Sequence, residues 1–440
     1  MRSEVVLLFL FSVATAVALL TRRLKVPYTV ALVVAGVVLG TVQVIEPPHL
    51  TKELLYTVFL PGLVFEAAFH IDFRKFWQNK LAIIALAVPG VAAAIAVTGL
   101  LLPPLLGGLR LAAGFSLGGA LVFAALIAAT DPIAVVALFR SLGAPRRLAI
   151  LIEAESLLND GTAVVFFTLI LGLVSGGEYS LGAAALDFVR MIGLGSLVGL
   201  GIGLVVSQLA RRSDDPMIEI MLTTLAAYGS FVLAEQLHLS GIIATVAAGM
   251  LCGNYGMPSG KRPKTRFALE IFWEYVAFAL NSLVFLLIGF EVRSAALLHS
   301  WREILTAYLA VVVGRAVLIS LVTVALRRSR EAIAWSWSAV LTWGGLRGGL
   351  SMVLALALPR AFPYRELIVT MTYGVVLLSI VIQGLSIGSL LRRLGLDQGA
   401  KELAHWEDGP EGSKGHDHPG QDEREPAGEA PGERLAKEQS

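Results

Sequence analysis

Thirteen apolar stretches, each near the length that crosses a lipid bilayer, follow one another along residues 4–391. A hydrocarbon core about 30 Å thick needs roughly 20 apolar residues in a helix. Inside it, a spanning helix satisfies every backbone N–H and C=O within its own segment. The chain is thereby confined to an all-α polytopic membrane fold. The stretches lie at about 4–20, 27–45, 53–69, 81–102, 111–139, 148–174, 183–208, 217–236, 239–253, 267–290, 303–326, 333–358 and 366–391. Composition agrees: 56% of residues are hydrophobic and 15% charged, against about 25% charged in soluble domains. The single cysteine, Cys252, excludes internal disulfides and sits in an apolar span, where inert packing is expected.

Charge gives the orientation. The first stretch could pass for a secretory signal, because Ala14-Thr15-Ala16 imitates a cleavage site. Its basic flank is downstream, however, at Arg22, Arg23 and Lys25, which predicts an outside N-terminus. The later loops alternate in the same sense. Those on the side of residues 22–25 carry 20 Lys/Arg, and those on the opposite side carry 7. The 140–147 loop and the C-terminus are therefore expected in the cytoplasm. Residues 397–440 hold 12 acidic and 5 basic residues and are rich in Gly, Pro and Glu. They read as an acidic disordered tail, in which His405, His416 and His418 are expected to do no more than face solvent.

Two spans carry the signs of a broken helix. In the fifth, Ala129-Thr130-Asp131-Pro132 puts a proline inside an apolar run, removing a helix hydrogen bond and biasing the preceding residue away from the helical region. In the twelfth, Gly344-Gly345-Leu346-Arg347-Gly348-Gly349 places four glycines in six residues, each about 1 kcal/mol worse than alanine in a helix. The two spans are seven apart and so cross in opposite directions. Interrupted helices in two inverted halves point to a transporter site at the bilayer midplane.

Between them, Ala149–Val165 packs Glu153, Glu155, Ser156, Asn159 and Asp160 into an apolar span. At about 100° per residue these five fall within an arc of roughly 160°. An ionisable group at bilayer depth costs about 2.5–3.5 kcal/mol or more and commonly marks an ion or proton path. Asp160 offers a formal charge, Ser156 a hydroxyl one turn away, and the Thr130 break freed carbonyls. One carboxylate can hold a proton or a cation but not readily both, and that competition is the minimal chemistry of an antiporter. Arg347 stays charged and needs a carboxylate or carbonyls; Glu155 is its expected partner in a structural ion pair. Asp131 is expected to cap the second half of the broken fifth span. Glu66, after Pro61-Gly62, is a second candidate carboxylate on the path. Glu153 is expected at the cytoplasmic entrance, and Glu235, Glu270, Glu274 and Glu291 near span ends. Arg315 also sits mid-span, without a partner legible in the sequence.

With these residues in place, the chain resembles the monovalent cation/proton antiporters of the NhaP and NHE type. The resemblance rests on Ala129-Thr130-Asp131-Pro132, Glu155-Ser156-Leu157-Leu158-Asn159-Asp160, Phe272-Trp273-Glu274 through Leu287-Ile288-Gly289, and Gly344-Gly345-Leu346-Arg347-Gly348, in family order over residues 1–396. It implies a thirteen-helix fold of NhaA/NhaP type, with inverted repeats and two unwound crossing helices. It implies a core bundle (about 81–174 and 303–391) beside dimerisation helices (about 1–69 and 183–290), in a homodimer working by elevator-like movement. It implies that Asp160 is the shared cation/proton carboxylate and Asn159 its partner. Ser156, the Thr130 carbonyl and Glu66 would complete a Na⁺ site, and Glu155 and Arg347 would form the structural pair. An Asn-Asp pair in place of two aspartates implies electroneutral 1:1 exchange. The expected cargo is Na⁺ or Li⁺ with H⁺, without a resident cofactor, an enzymatic activity or a nucleic-acid partner. The length of the tail favours Na⁺ over K⁺, because it is too short for the nucleotide-sensing domain of some potassium-specific relatives. A passive channel would not need oppositely oriented broken helices, and no His-Glu-x-x-His stretch or nucleophile–base set supports an intramembrane protease.

Overall fold

The computed structural model describes residues 3–24, 27–42, 54–112, 114–176, 180–213, 215–256, 263–291 and 294–397. The acidic tail with His405, His416 and His418, expected to be disordered, lies outside the described residues. Among the described residues all regular structure is helical. Seven helices are long and apolar enough to cross a membrane, and shorter apolar helices lie between them.

In chain order these are α1 (Ser3–Leu24), α2 (Tyr28–Val42), α3 (a π turn Leu55–Phe59 running into Leu60–His70) and the short α4 (Phe73–Gln78). Next come α5 (Lys80–Gly108), the pair α6 (Leu117–Leu126) and α7 (Ile133–Leu142), and α8 (Arg146–Val174). The chain continues with α9 (Leu181–Ala210), α10 (Pro216–Gln236), α11 (Gly241–Leu251), α12 (Pro263–Glu291), α13 (Ser294–His299) and α14 (Trp301–Leu326). The pair α15 (Trp335–Trp343) and α16 (Gly349–Leu356) precedes α17 (Arg365–Arg393).

Local chemistry sets many of these boundaries. Ser116, Ser180, Asp215 and Ser240 each accept from a backbone N–H two or three residues ahead and so start α6, α9, α10 and α11. Gly143, at φ 64°, ends α7 in the left-handed conformation that glycine adopts without strain. The fourth span runs past the expected end at 102, through Pro103 and Pro104 to Gly108. Proline within a membrane helix is tolerated where the freed groups find other partners. At Pro89 the helix widens into a π turn, and the Thr162 hydroxyl of α8 donates to the Ala87 carbonyl at 2.7 Å.

The helices up to residue 397 pack as one compact unit. Helix α5 lies against α6 and α14, α8 against α6, and α14 against α15 and α17. Elsewhere α2 lies against α12, α11 contacts α3, α9 and α10, and α8 meets both α9 and α11. The α2–α12 crossing is close. A Cβ on Gly36 would stand 2.2 Å from the Leu286 carbonyl oxygen, and one on Gly289 would stand 2.3 Å from that of Val33. Small residues at such crossings let backbones touch where lipid offers no hydrophobic drive to associate.

Candidate ion-binding site

The helix is absent over residues 128–132, between α6 and α7, and again over 345–348, between α15 and α16. The two irregular stretches touch: the Asp131 N–H donates to the Leu346 carbonyl at 2.8 Å. One glycine permits the approach: a Cβ on Gly348 would stand 2.7 Å from the Asp131 Cβ. Gly345 instead makes room for Arg315, whose Nε would stand 2.8 Å from a Cβ there.

Freed backbone groups at membrane depth need partners, and the polar face of α8 supplies many of them. The Ser156 hydroxyl donates to the Thr130 carbonyl, and the Thr130 hydroxyl donates back to Ser156 Oγ at 3.1 Å. Asn159 Nδ2 reaches the Ala128 carbonyl at 3.0 Å and Thr130 Oγ1 at 3.2 Å. Asp131 Oδ1 accepts from the Ile133 N–H at 3.0 Å, from the position just before Pro132, which is the N-cap of α7. Ser156 and Asn159 are 2% and 0% exposed, and neither lines the central chamber. Both stand behind Thr130 and grip the break.

The expected Glu155–Arg347 pair does not form. Both Glu155 oxygens are taken by Arg315 of α14, Nη1 to Oε1 at 2.7 Å and Nη2 to Oε2 at 2.9 Å. The two residues are 1% and 4% exposed. A planar guanidinium facing a carboxylate with both forks is the best match available to it. Arg315 also donates to the Leu341 carbonyl, near the end of α15. Arg347 instead donates to the Ala128 and Ala129 carbonyls at 2.6 and 3.2 Å. Those carbonyls follow the C-terminal end of α6, where acceptors are orphaned and the helix dipole favours a cation. Arg347 therefore ties one break to the other, and its own N–H is held by Ser379 Oγ at 3.0 Å.

Asp160 shares a chamber of about 130 Å³ with Glu66, Thr130, Asp131 and Asn281. Among the described residues its carboxylate accepts no hydrogen bond. A second cavity, of about 290 Å³, adjoins the first at Glu66, Pro132, Ile133 and Asn281 and reaches Arg140 and Glu153. Glu66 stands at the junction, with His70 Nδ1 at 3.1 Å from its Oε1. Glu153 lies farther out, 3.4 Å from Arg140 Nη2.

Sequence reasoning missed Asn281, which lines both cavities. A lone amide between Leu280 and Ser282 in an apolar helix reads as an ordinary helix contact. Its proximity to Asp160 has no signal in the linear sequence.

The sodium/hydrogen exchanger transmembrane family matches over residues 8–393. The chain belongs to the sodium/hydrogen exchanger family. It is 40% identical over 374 residues to the Na⁺/H⁺ antiporter ApNhaP of Aphanothece halophytica, covering 84% of this chain and 70% of that one. It is 41% identical over 357 residues to the Na⁺/H⁺ antiporter NhaP of Pseudomonas aeruginosa, covering 78% and 81%. The structure of the sodium proton antiporter MjNhaP1 of Methanocaldococcus jannaschii superposes with a TM-score of 0.72 at 20% identity, covering 88% and 97% of the two chains. The exchanger is thus a multi-pass membrane protein of the NhaP fold, in a family of antiporters.

Proposed function

We propose that this exchanger is a secondary antiporter of the cell membrane that trades Na⁺ or Li⁺ for H⁺ at Asp160, one for one and without net charge movement. The observation that carries this reading is the Asp160 carboxylate, which has no protein donor among the described residues and faces a chamber at the crossing of two broken helices. In such a place a proton or a small cation supplies the missing partner, and binding of either excludes the other. Thr130, Asp131 and Glu66 border the same chamber and offer oxygen, the ligand that Na⁺ and Li⁺ prefer over nitrogen or sulfur. Ser156 and Asn159 act through Thr130 and the adjoining carbonyls, holding them at the site.

Orientation follows from charge. The Asp160 chamber adjoins, at Glu66, the cavity that reaches Arg140 and Glu153, and Arg140 begins the basic 140–147 segment. With that segment cytoplasmic, the chamber is open to the inside. The set containing α5–α8 and α14–α17 carries Asp160 and both breaks. Its movement against the set containing α1–α3 and α9–α12, which forms the homodimer contact, exposes Asp160 to the other side.

Proteoliposomes with an imposed pH gradient and a pH-sensitive dye test the reading. Addition of Na⁺ or Li⁺ should collapse the gradient, with or without a K⁺/valinomycin clamp, and Asp160→Asn should abolish the response while remaining folded. Exchange retained in Asp160→Asn would overturn the assignment. A response to K⁺ alone would change the cargo, and steady-state current on a solid-supported membrane would overturn electroneutrality.

A further inference from the structure

Of the oxygen-bearing side chains around the Asp160 chamber, Glu66 on α3 and Asn281 on α12 stand on helices outside both breaks and outside α8. Asn281 belongs to α12, and the register of that helix is pinned on its α2 side. Ser282 Oγ lies 2.8 Å from the Tyr28 hydroxyl, and the Tyr28 ring stacks on Phe278 with centroids 5.3 Å apart. Farther along, Gly36 and Gly289 bring the α2 and α12 backbones into contact. With Ser282 held toward α2, its neighbour, about 100° round the helix, projects elsewhere. Asn281 borders both the Asp160 chamber and the cavity beyond Glu66.

The surrounding groups are mostly engaged. Thr130 is bonded to Ser156, Asp131 to the Ile133 N–H, and Glu66 is paired with His70. Among the described residues the Asn281 amide makes no hydrogen bond. An amide oxygen is a neutral, hard ligand suited to a monovalent alkali cation. It has no charge with which to draw a proton.

We propose that Asn281 is the wall-side cation ligand of the exchanger, supplying an amide oxygen to Na⁺ or Li⁺ held at Asp160 and favouring the cation over the proton. The proposal rests on Asp160 being the exchange carboxylate. A neutral oxygen bordering the Asp160 chamber strengthens only the cation-loaded state, so it acts on the competition between the two substrates. Removing it weakens Na⁺ without weakening H⁺, and protons then outcompete Na⁺ at higher pH. The titratable or charged groups around Asn281 are Tyr28 on α2, Glu66 and His70 on α3, Asp131 in the break, Arg140 on α7, and Glu153 and Asp160 on α8. All are left in place by the substitution.

The test is steady-state exchange in proteoliposomes for the wild type, Asn281→Leu and Asn281→Ser, with Na⁺, Li⁺ and K⁺, alongside melting of each purified variant. Leucine keeps the volume, and serine keeps a hydroxyl too short to reach. Both should raise KM for Na⁺ about tenfold, the effect of one 1.4 kcal/mol step, with Vmax within about twofold. At Na⁺ well above both KM values the acid limb of the pH profile should move about one unit toward alkaline pH, the same tenfold expressed in protons. Melting should be unchanged, and Na⁺ should protect the wild type from unfolding more than either variant. An unchanged KM and acid limb in both variants would overturn the proposal, as would a fall in Vmax for every cation together with a lower melting temperature. A wild type without exchange is a different failure, because it removes the Asp160 reading on which the proposal rests.

Discussion

Separate replacement of Glu155 and Arg315 by leucine, followed by the double replacement, isolates the buried ion pair. Each single change strands one charge at membrane depth. The carboxylate loses two guanidinium bonds at 2.7 and 2.9 Å, or the guanidinium loses both carboxylate oxygens and keeps only the Leu341 carbonyl. Breaking a buried pair of this kind costs about 3–5 kcal/mol. The double variant strands no charge and leaves only neutral groups short of a partner. The Leu341 carbonyl loses a donor, and Asn159 loses its 3.4 Å contact to Glu155 but keeps two other acceptors. A net hydrogen bond contributes about 0.5–1.5 kcal/mol, so the double variant should fall about 1–2 kcal/mol below the wild type. Each kcal/mol moves the melting temperature by roughly 2–4 °C in domains of 150–250 residues. Either single variant should therefore melt on the order of 6–20 °C lower, and the double variant should recover more than half of that. Fluorescence-detected gel filtration after heating reads the difference in detergent. A double variant as unstable as the worse single would refute the pairing. Rescue of Arg347→Leu by Glu155→Leu would assign the carboxylate to Arg347 instead.

Three further perturbations follow from the same geometry. Arg347→Ala frees the Ala128 and Ala129 carbonyls and should melt well below Asp160→Asn, which removes a charge that no described protein donor satisfies; coincident melting curves would count against this. Gly348→Ala places a Cβ 2.7 Å from that of Asp131, and overpacking of this sort costs about 1–3 kcal/mol. It should reduce folded yield and exchange together, whereas a variant with wild-type yield and rate would show that the crossing has room to spare. Asp72 caps the short loop helix α4, accepting from the Arg74 and Lys75 N–H groups. Partial burial pushes its carboxyl up, but those N–H bonds and the Lys75 ammonium outweigh it and hold the group below the ordinary 3.8. A lowered folded value means the cap's contribution is present above the unfolded value and fades as pH falls through the folded one. Asp72→Ala should thus cost about 0.5–2 kcal/mol, equally at pH 6 and 9. A loss of stability that changes across that interval would contradict the sign.

How much of this is legible in the residues depends on whether the physics is local. The desolvation cost of a carboxylate, the period of an apolar helix, the missing N–H of Pro132 and the weak helix propensity of Gly344–Gly349 each belong to a residue or its near neighbours. They suffice to mark the spans, the two breaks and the polar face of α8. Pro103 and Pro104 mislead for the complementary reason: a proline ends a helix in water, and neighbouring helices override it in a bundle.

Partner choice is not local. Arg315 and Arg347 are both buried cations seeking oxygen, and the sequence holds nothing that sends one to Glu155, 160 positions away, and the other to the Ala128 carbonyl, 219 positions away. The crossing of the two breaks decides it, because it sets the forked guanidinium of Arg315 against the carboxylate and leaves Arg347 at the dipolar end of α6. The same crossing turns Ser156 and Asn159 into supports for Thr130 and brings Asn281 to the chamber. The sequence thus determined which residues are too polar for where they stand. Only the tertiary structure decided what each is polar toward, since that depends on distances between helices that propensity and period do not encode.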